Sequence, residues 1–224
     1  DVALDERGII IITGTTGSGK STTLAAMTDH INKSKNGHII CIEDPIEYYH
    51  FDNKCIVNQR EVGIDTDSFI VALRAALRED PDVIMVGEMR DRETVQTTFT
   101  AAITGHLVMT TLHTTDVIQT INRVLDYYPH DQQKQARIML SESIHSIFSM
   151  RLLPMVGGGR IPAIESMVAT AQIRDYILNP DETYLIRDVM ERGAADGMFT
   201  FDQYLLRLVR AGKITWETAR KAAT

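Results

Sequence analysis

Gly14-Thr15-Thr16-Gly17-Ser18-Gly19-Lys20-Ser21 fills every fixed position of the pattern G-x-x-x-x-G-K-[ST]. Its flanks are the ones that pattern requires. Upstream, residues 8–13 are glycine, four isoleucines and threonine, a β-branched run that reads as a buried strand; downstream, residues 20–33 have the spacing of a helix. A glycine-rich turn between such a strand and helix lets successive backbone N–H groups point at one anion, backed by the positive end of the helix. Lys20 adds a mobile positive charge to that cradle.

Working outward, residues 38–42, 82–86 and 106–112 also read as strands, and residues 68–77, 93–103 and 115–125 as helices. The alternation is repeated βαβ, which implies an α/β fold with a mostly parallel sheet, helices on both faces and ligands at the C-terminal strand ends. Beyond Asp126 the pattern changes. Residues 133–148 read as one helix, with Ala136, Leu140, Ile144, Ile147 and Phe148 on one face, followed by a short β-like stretch over 151–168 around Gly157, Gly158 and Gly159. From Ala169 on the chain reads as helical. Phe201, Tyr204, Leu205, Leu208 and Val209 share a face, Thr200 and Gln203 form a capping box, and turns are expected near Gly193, Gly197 and Gly212. The expected division is a core over 1–168 and a small helical subdomain over 169–224.

The chain of 224 residues has 44% hydrophobic residues, enough for one large domain with a small appendage. A net charge of −7 argues against a duplex-binding surface, so no nucleic-acid partner is expected. Apolar runs such as 103–112 are far shorter than the roughly 18 residues a bilayer span needs, so no membrane insertion is expected. Cys41 and Cys55 fit neither a disulfide framework nor a zinc site and read as small buried hydrophobes in a reducing cytoplasm.

Phosphate transfer also needs carboxylates. Residues 82–88 form an apolar strand ending in Glu88, with Gly87 where an aspartate often stands. Glu43-Asp44-Pro45-Ile46-Glu47 follows another strand directly, three acids in five residues that must be answered by a cation, an arginine or solvent. His106 and His113 flank the run 107–112; seven apart on one strand, they face opposite ways and cannot share a metal. Arg60, Arg90 and Arg92 are available to stabilise charge. ATP with Mg2+ is the ligand pair these residues suit, Lys20 meeting the β- and γ-phosphates and Ser21 the metal.

Together Gly14 through Thr22, Ile42 through Tyr48, Val86 through Asp91, and Thr104 through Leu107 with Thr111 through Thr114 resemble, in order, the Walker A, Asp box, Walker B and His box of the type II/IV secretion ATPase superfamily. Its fold is RecA-like. Within it the chain is most similar to the PilT-like retraction branch. No four-cysteine zinc insertion follows Arg151-Leu152-Leu153-Pro154, residues 172–177 resemble that branch's A-I-R-N-L-I-R-E helix with departures at Gln172, Asp175, Tyr176, Leu178 and Asn179, and Gly197-Met198-Phe199-Thr200-Phe201-Asp202 resembles its tail.

The resemblance implies that Gly14, Thr15, Thr16, Gly17, Ser18, Gly19, Lys20, Ser21 and Thr22 bind ATP, that Ser21 and Glu88 hold Mg2+, and that Glu88 is the Walker B acid. Glu47 or Glu43 would prepare the water, and His106 and His113 would be the His-box pair. It further implies a cytoplasmic homo-hexamer, peripheral to the inner membrane, that drives pilus retraction and twitching motility through a platform protein there. The family's N-terminal PAS-like domain has no counterpart in this sequence, so the chain reads as an isolated ATPase domain. Two other readings stay open: an assembly or secretion ATPase, and a regulatory module that binds nucleotide without hydrolysing it.

Overall fold

The computed structural model describes residues 2–223. Its centre is β1 (Gly8–Gly14), buried at every position. Four consecutive isoleucines, Ile9 to Ile12, are wholly inaccessible, as a strand with both sheet faces covered requires. The other strands are β2 (Gly37–Glu43), β3 (Cys55–Glu61), β4 (Val83–Val86), β5 (Leu107–Leu112), β6 (Ile144–Pro154) and β7 (Arg160–Val168). They form one sheet of seven in the order β3-β2-β4-β5-β1-β6-β7. Every pair is parallel except β6 with β7, which form an antiparallel hairpin.

Helices cover both faces. α1 (Lys20–Ser34) lies on the face built around Ile10, Ile12, Ile39 and Met109. α2 (Phe69–Ala76), α3 (Arg92–Ile103), α4 (Val117–Asp126) and α5 (Gln133–Ser143) cover the other, around Ile9, Ile11, Ile84 and Phe99. Side-chain caps start three of them: Ser68 accepts from the Val71 N–H, Asp91 from Thr94 and Asp116 from Gln119. The α/β expectation holds, and β1, β2, β4, β5 and α1 to α4 match the expected elements to within a residue or two.

One expectation fails outright. Residues 133–148 are not one helix: α5 ends at Ser143, and Ile144 begins β6. The helical spacing of Ala136, Leu140, Ile144, Ile147 and Phe148 is genuine, but β6 pairs with β1 inside the sheet, where both faces are buried and a strand shows no alternation. Strand pairing overrides local periodicity there. β3 was also missed, because polar Asn58, Gln59, Arg60 and Glu61 dilute its apolar start.

The tail comprises α6 (Ala171–Leu178), α7 (Ile186–Arg192), α8 (Phe201–Arg210) and α9 (Trp216–Ala222). Ile173, Ile177, Ile186 and Met190 of α6 and α7 belong to the main core. α8 and α9 instead make a smaller cluster with Leu153 and Ala163 of the β6–β7 hairpin, using Phe201, Leu205 and Leu208. The expected Thr200/Gln203 capping box is present.

Between β2 and β3 the chain runs over the surface and is tied down by Asn32 of α1. The buried Asn32 side chain accepts from the N–H groups of Asn53 (3.1 Å) and Cys55 (3.2 Å) and donates to the Phe51 carbonyl (2.8 Å). Asn32→Ala should therefore cost about 2–3 kcal/mol of stability in urea unfolding, since those backbone groups lose their partner. A loss under about 0.5 kcal/mol would show that water replaces the amide.

Candidate active site

Parallel pairing sends β1, β2, β4 and β5 out at one edge of the sheet, and their exits carry the phosphate loop, the Glu43 segment, Glu88 and His113. They meet around a cavity of about 260 Å³ lined by Lys20, Ser21, Glu43, Glu47, Glu88 and His113 among others. Gly14 has φ +147°, and a Cβ there would lie 2.4 Å from Ser18 Oγ and 2.5 Å from the Met150 carbonyl, so no side chain fits. Gly19 starts α1 in the left-handed region, φ 100°. The loop thus depends on glycine for close approach at one end and for backbone hand at the other.

Lys20 folds back over the loop, its ammonium donating to the carbonyls of Gly14 (2.9 Å) and Thr15 (3.1 Å). Burial pulls its pKa below the ordinary lysine value, while Glu88 and Glu47 oppose the shift. Lys20 and Glu88 therefore share one cleft. The Ser18 hydroxyl is buried in the loop with no hydrogen-bond partner, an unanswered polar atom inside an anion cradle.

Glu88 stands just beyond β4. Arg90 Nε donates to its Oε2 at 2.7 Å, and His113 Nε2 lies 3.3 Å from its Oε1. Arg90 also reaches across to Asp44 Oδ2 at 2.8 Å, with its guanidinium 5.6 Å from the centre of the Phe69 ring. One arginine thus bridges the exits of β2 and β4. At Gly87 a Cβ would press to 3.2 Å from the Ile42 carbonyl, whose oxygen accepts the Gly87 N–H at 2.8 Å. The tight join of these two strands favours glycine where an aspartate is often found.

Glu43 is half-buried at the end of β2. Burial raises its pKa above the ordinary carboxylate value, with Glu47 and Glu61 adding to the rise, while hydrogen bonds from the Gln59 amide and the Glu47 N–H pull it back. Gln59, on β3, organises this corner. Its Nε2 donates to Glu43 Oε1 (3.0 Å) and the Tyr48 carbonyl (2.8 Å), and its Oε1 accepts the His50 N–H (2.8 Å). Tyr48 in turn brings its hydroxyl to 3.0 Å from Thr22 Oγ1.

The structure does not bring His106 to this cleft. It sits at the opposite end of β5, about 20 Å away at ~3.3 Å per residue, with Nδ1 2.9 Å from the Ala101 carbonyl. Arg60 pairs with Glu79 at 2.7 Å, and Arg92 bonds Gln132 and lies 5.3 Å from the Tyr128 ring centre. Of the three arginines only Arg90 lines the cavity. Gln59 and Phe69 went unnoticed in the sequence because nothing in their neighbours marks them; only the β2–β3 pairing and the packing of α2 bring them to the edge.

The described geometry coincides with a family assignment. Residues 1–175 match the model of the type II/IV secretion system protein family. The chain belongs to that family. It is 52% identical to the type IV pilus retraction ATPase PilT of Pseudomonas aeruginosa over 97% of its own length and 63% of the relative's. It is 48% identical to a twitching motility protein of Neisseria gonorrhoeae, over 99% of this chain and 59% of that one. A crystal structure of the pilus retraction motor PilT with bound ADP superposes with a TM-score of 0.92 at 51% identity, covering 99% of this chain and 63% of that one. The chain thus spans about 60% of the length of these family members.

Gln59→Leu should free the Glu43–His50 corner without unfolding the sheet. The His50 amide is then expected to exchange with solvent at least about tenfold faster. Unchanged exchange would mean that Gln59 does not hold the segment.

Proposed function

We propose that this chain is the ATP-hydrolysing core of a ring motor that retracts type IV pili and so powers twitching motility. The observation that carries the reading is the convergence of a glycine-wrapped anion cradle and four acids from the exits of two neighbouring parallel strands on one cavity. Kinship with retraction ATPases supports the pilus assignment.

In this reading the loop from Gly14 to Thr22 holds the phosphates of ATP through its backbone N–H groups, and Lys20 leaves its loop carbonyls to neutralise the terminal ones. The donor set suits Mg2+, which asks for few protein ligands beside phosphate and water oxygens: Ser21 offers a hydroxyl and Glu88 a carboxylate in the same cavity. When bound, the metal would neutralise charge on the phosphate oxygens. Glu43 and Glu47 are the candidates to orient and deprotonate the attacking water. Burial raises the Glu43 pKa, which makes its carboxylate a stronger base than an exposed one. Arg90 holds Glu88 and Asp44 in place between turnovers.

The working unit is proposed to be a homo-hexamer of the full-length protein, with residues 1–168 as its RecA-like core and 169–224 as the helical subdomain. It would act on the cytoplasmic side of the inner membrane through a platform protein. No helix among the described residues is long and apolar enough to cross a membrane.

In the full-length protein, Lys20→Ala should abolish ATP binding by calorimetry, whereas Glu88→Gln should bind ATP normally and release phosphate about a hundredfold more slowly. Wild-type turnover by Glu88→Gln would remove that residue from the mechanism. Deleting the gene should leave cells with excess surface pili and no twitching; bald cells would point to an assembly motor.

A further inference from the structure

Glu88 has left the sheet before it reaches the cleft. β4 ends at Val86 and α3 starts at Arg92, so residues 87–91 lie outside the strand ladder. An acid that serves a reaction must still point in one direction, which takes support from groups behind it. The carboxylate itself meets Arg90 and His113, whose side chains are about half exposed. Exposed contacts of that kind hold one geometry weakly, so the aim of the acid falls to the bonds on its backbone.

Those bonds come from three other elements. The Gly87 N–H donates to the Ile42 carbonyl of β2 at 2.8 Å, and the Met89 N–H to the Thr111 carbonyl of β5 at 3.3 Å. Side-chain hydroxyls take the two carbonyls on either side of Glu88. Thr111 Oγ1 donates to the Gly87 carbonyl at 2.6 Å, and the Tyr127 hydroxyl donates to the Met89 carbonyl at 2.9 Å. Both donors are themselves fixed. Thr111, on β5, is buried and lines the cavity. Tyr127 caps the C-terminus of α4 and packs against the apolar cluster that also buries Met89, with the Arg123 guanidinium 4.8 Å from its ring centre.

We infer that Thr111 and Tyr127 are positioning residues for hydrolysis: their hydroxyls grip the carbonyls flanking Glu88 and so fix where its carboxylate stands relative to the phosphate loop. Thr111 precedes His113 by two residues, so this segment reaches the acid twice, at its backbone through Thr111 and at its carboxylate through His113. Tyr127 adds a hold from a different element, the end of a helix on the sheet face. The inference rests on Glu88 acting as proposed above.

The test uses the full-length protein with Thr111→Val, Thr111→Ser and Tyr127→Phe. Valine keeps the shape of threonine and phenylalanine that of tyrosine, so each variant leaves one carbonyl without its donor. In Thr111→Val and in Tyr127→Phe, amide exchange at Met89 should quicken about tenfold and kcat for ATP should fall about tenfold, with KM within about twofold. Thr111→Ser, which keeps the hydroxyl, should restore both. Combined with Glu88→Gln, either variant should lower kcat by less than about twofold further, because the acid being aimed is gone. A full tenfold added loss there, no rescue by serine, or wild-type kcat in both single variants overturns the inference. If Thr111→Val does not fold, Tyr127→Phe, alone and with Glu88→Gln, decides it. If the wild-type protein releases no phosphate, or Glu88→Gln turns over normally, the hydrolytic reading falls. Exchange at Met89 then still judges the grip, and wild-type exchange in both variants overturns it.

Discussion

The parallel pairing of β1 between β5 and β6 is the constraint on which the rest depends. Ile9 to Ile12 are inaccessible on both faces, so this strand has one place in the sheet and one direction. A strand buried on both sides cannot slip by one residue without exposing its neighbours to mismatched packing. With β1 fixed, β5 and β6 follow in register, and β4 and β2 pair outward from β5. Every one of these strands then ends at the same edge. The cleft is a consequence of that shared direction.

The edge gathers more negative charge than it could hold unaided. Glu43, Asp44, Glu47 and Glu88 surround one cavity; Lys20 and Arg90 answer them, and His113 Nε2 lies 3.3 Å from Glu88. Arg90 does most to hold the corner together, pairing with acids from two strand exits while its flat guanidinium lies over Phe69. A lysine could not make both contacts with the same geometry, because its ammonium offers no planar fork. Gln59 performs the neutral version of this task at the next strand, exchanging three hydrogen bonds with the segment that bears the acids.

The helical tail is joined to the core through packing. α6 and α7 contribute Ile173, Ile177, Ile186 and Met190 to the central apolar cluster, so they cannot move as a body without disturbing it. α8 and α9 have their own small cluster on the far end of the β6–β7 hairpin, and Arg151 of β6 ties them to it by donating to the Ala222 carbonyl and lying over the Phe201 ring. A row of buried polar residues, Glu165, Ser149 and Thr13, crosses the same hairpin and ends beside the phosphate loop.

Local sequence determined what local physics controls. The glycines and lysine of the phosphate loop, the isoleucine run before it, the amphipathic faces of α1 to α4 and the Thr200/Gln203 cap are set by backbone freedom, side-chain period and nearby hydrogen bonds, and all were legible in order along the chain. The expectation for residues 133–148 failed because Ile144, Ile147 and Phe148 keep a helical spacing while their backbone is claimed by pairing with β1, more than a hundred residues away. The resemblance makes His106 and His113 a His-box pair, yet the length of β5 separates them, and only His113 reaches Glu88. Gln59, Phe69 and Arg90 acquire their roles from neighbours brought by the sheet. Their contacts join residues distant in sequence, so they exist only once strand order and direction are fixed.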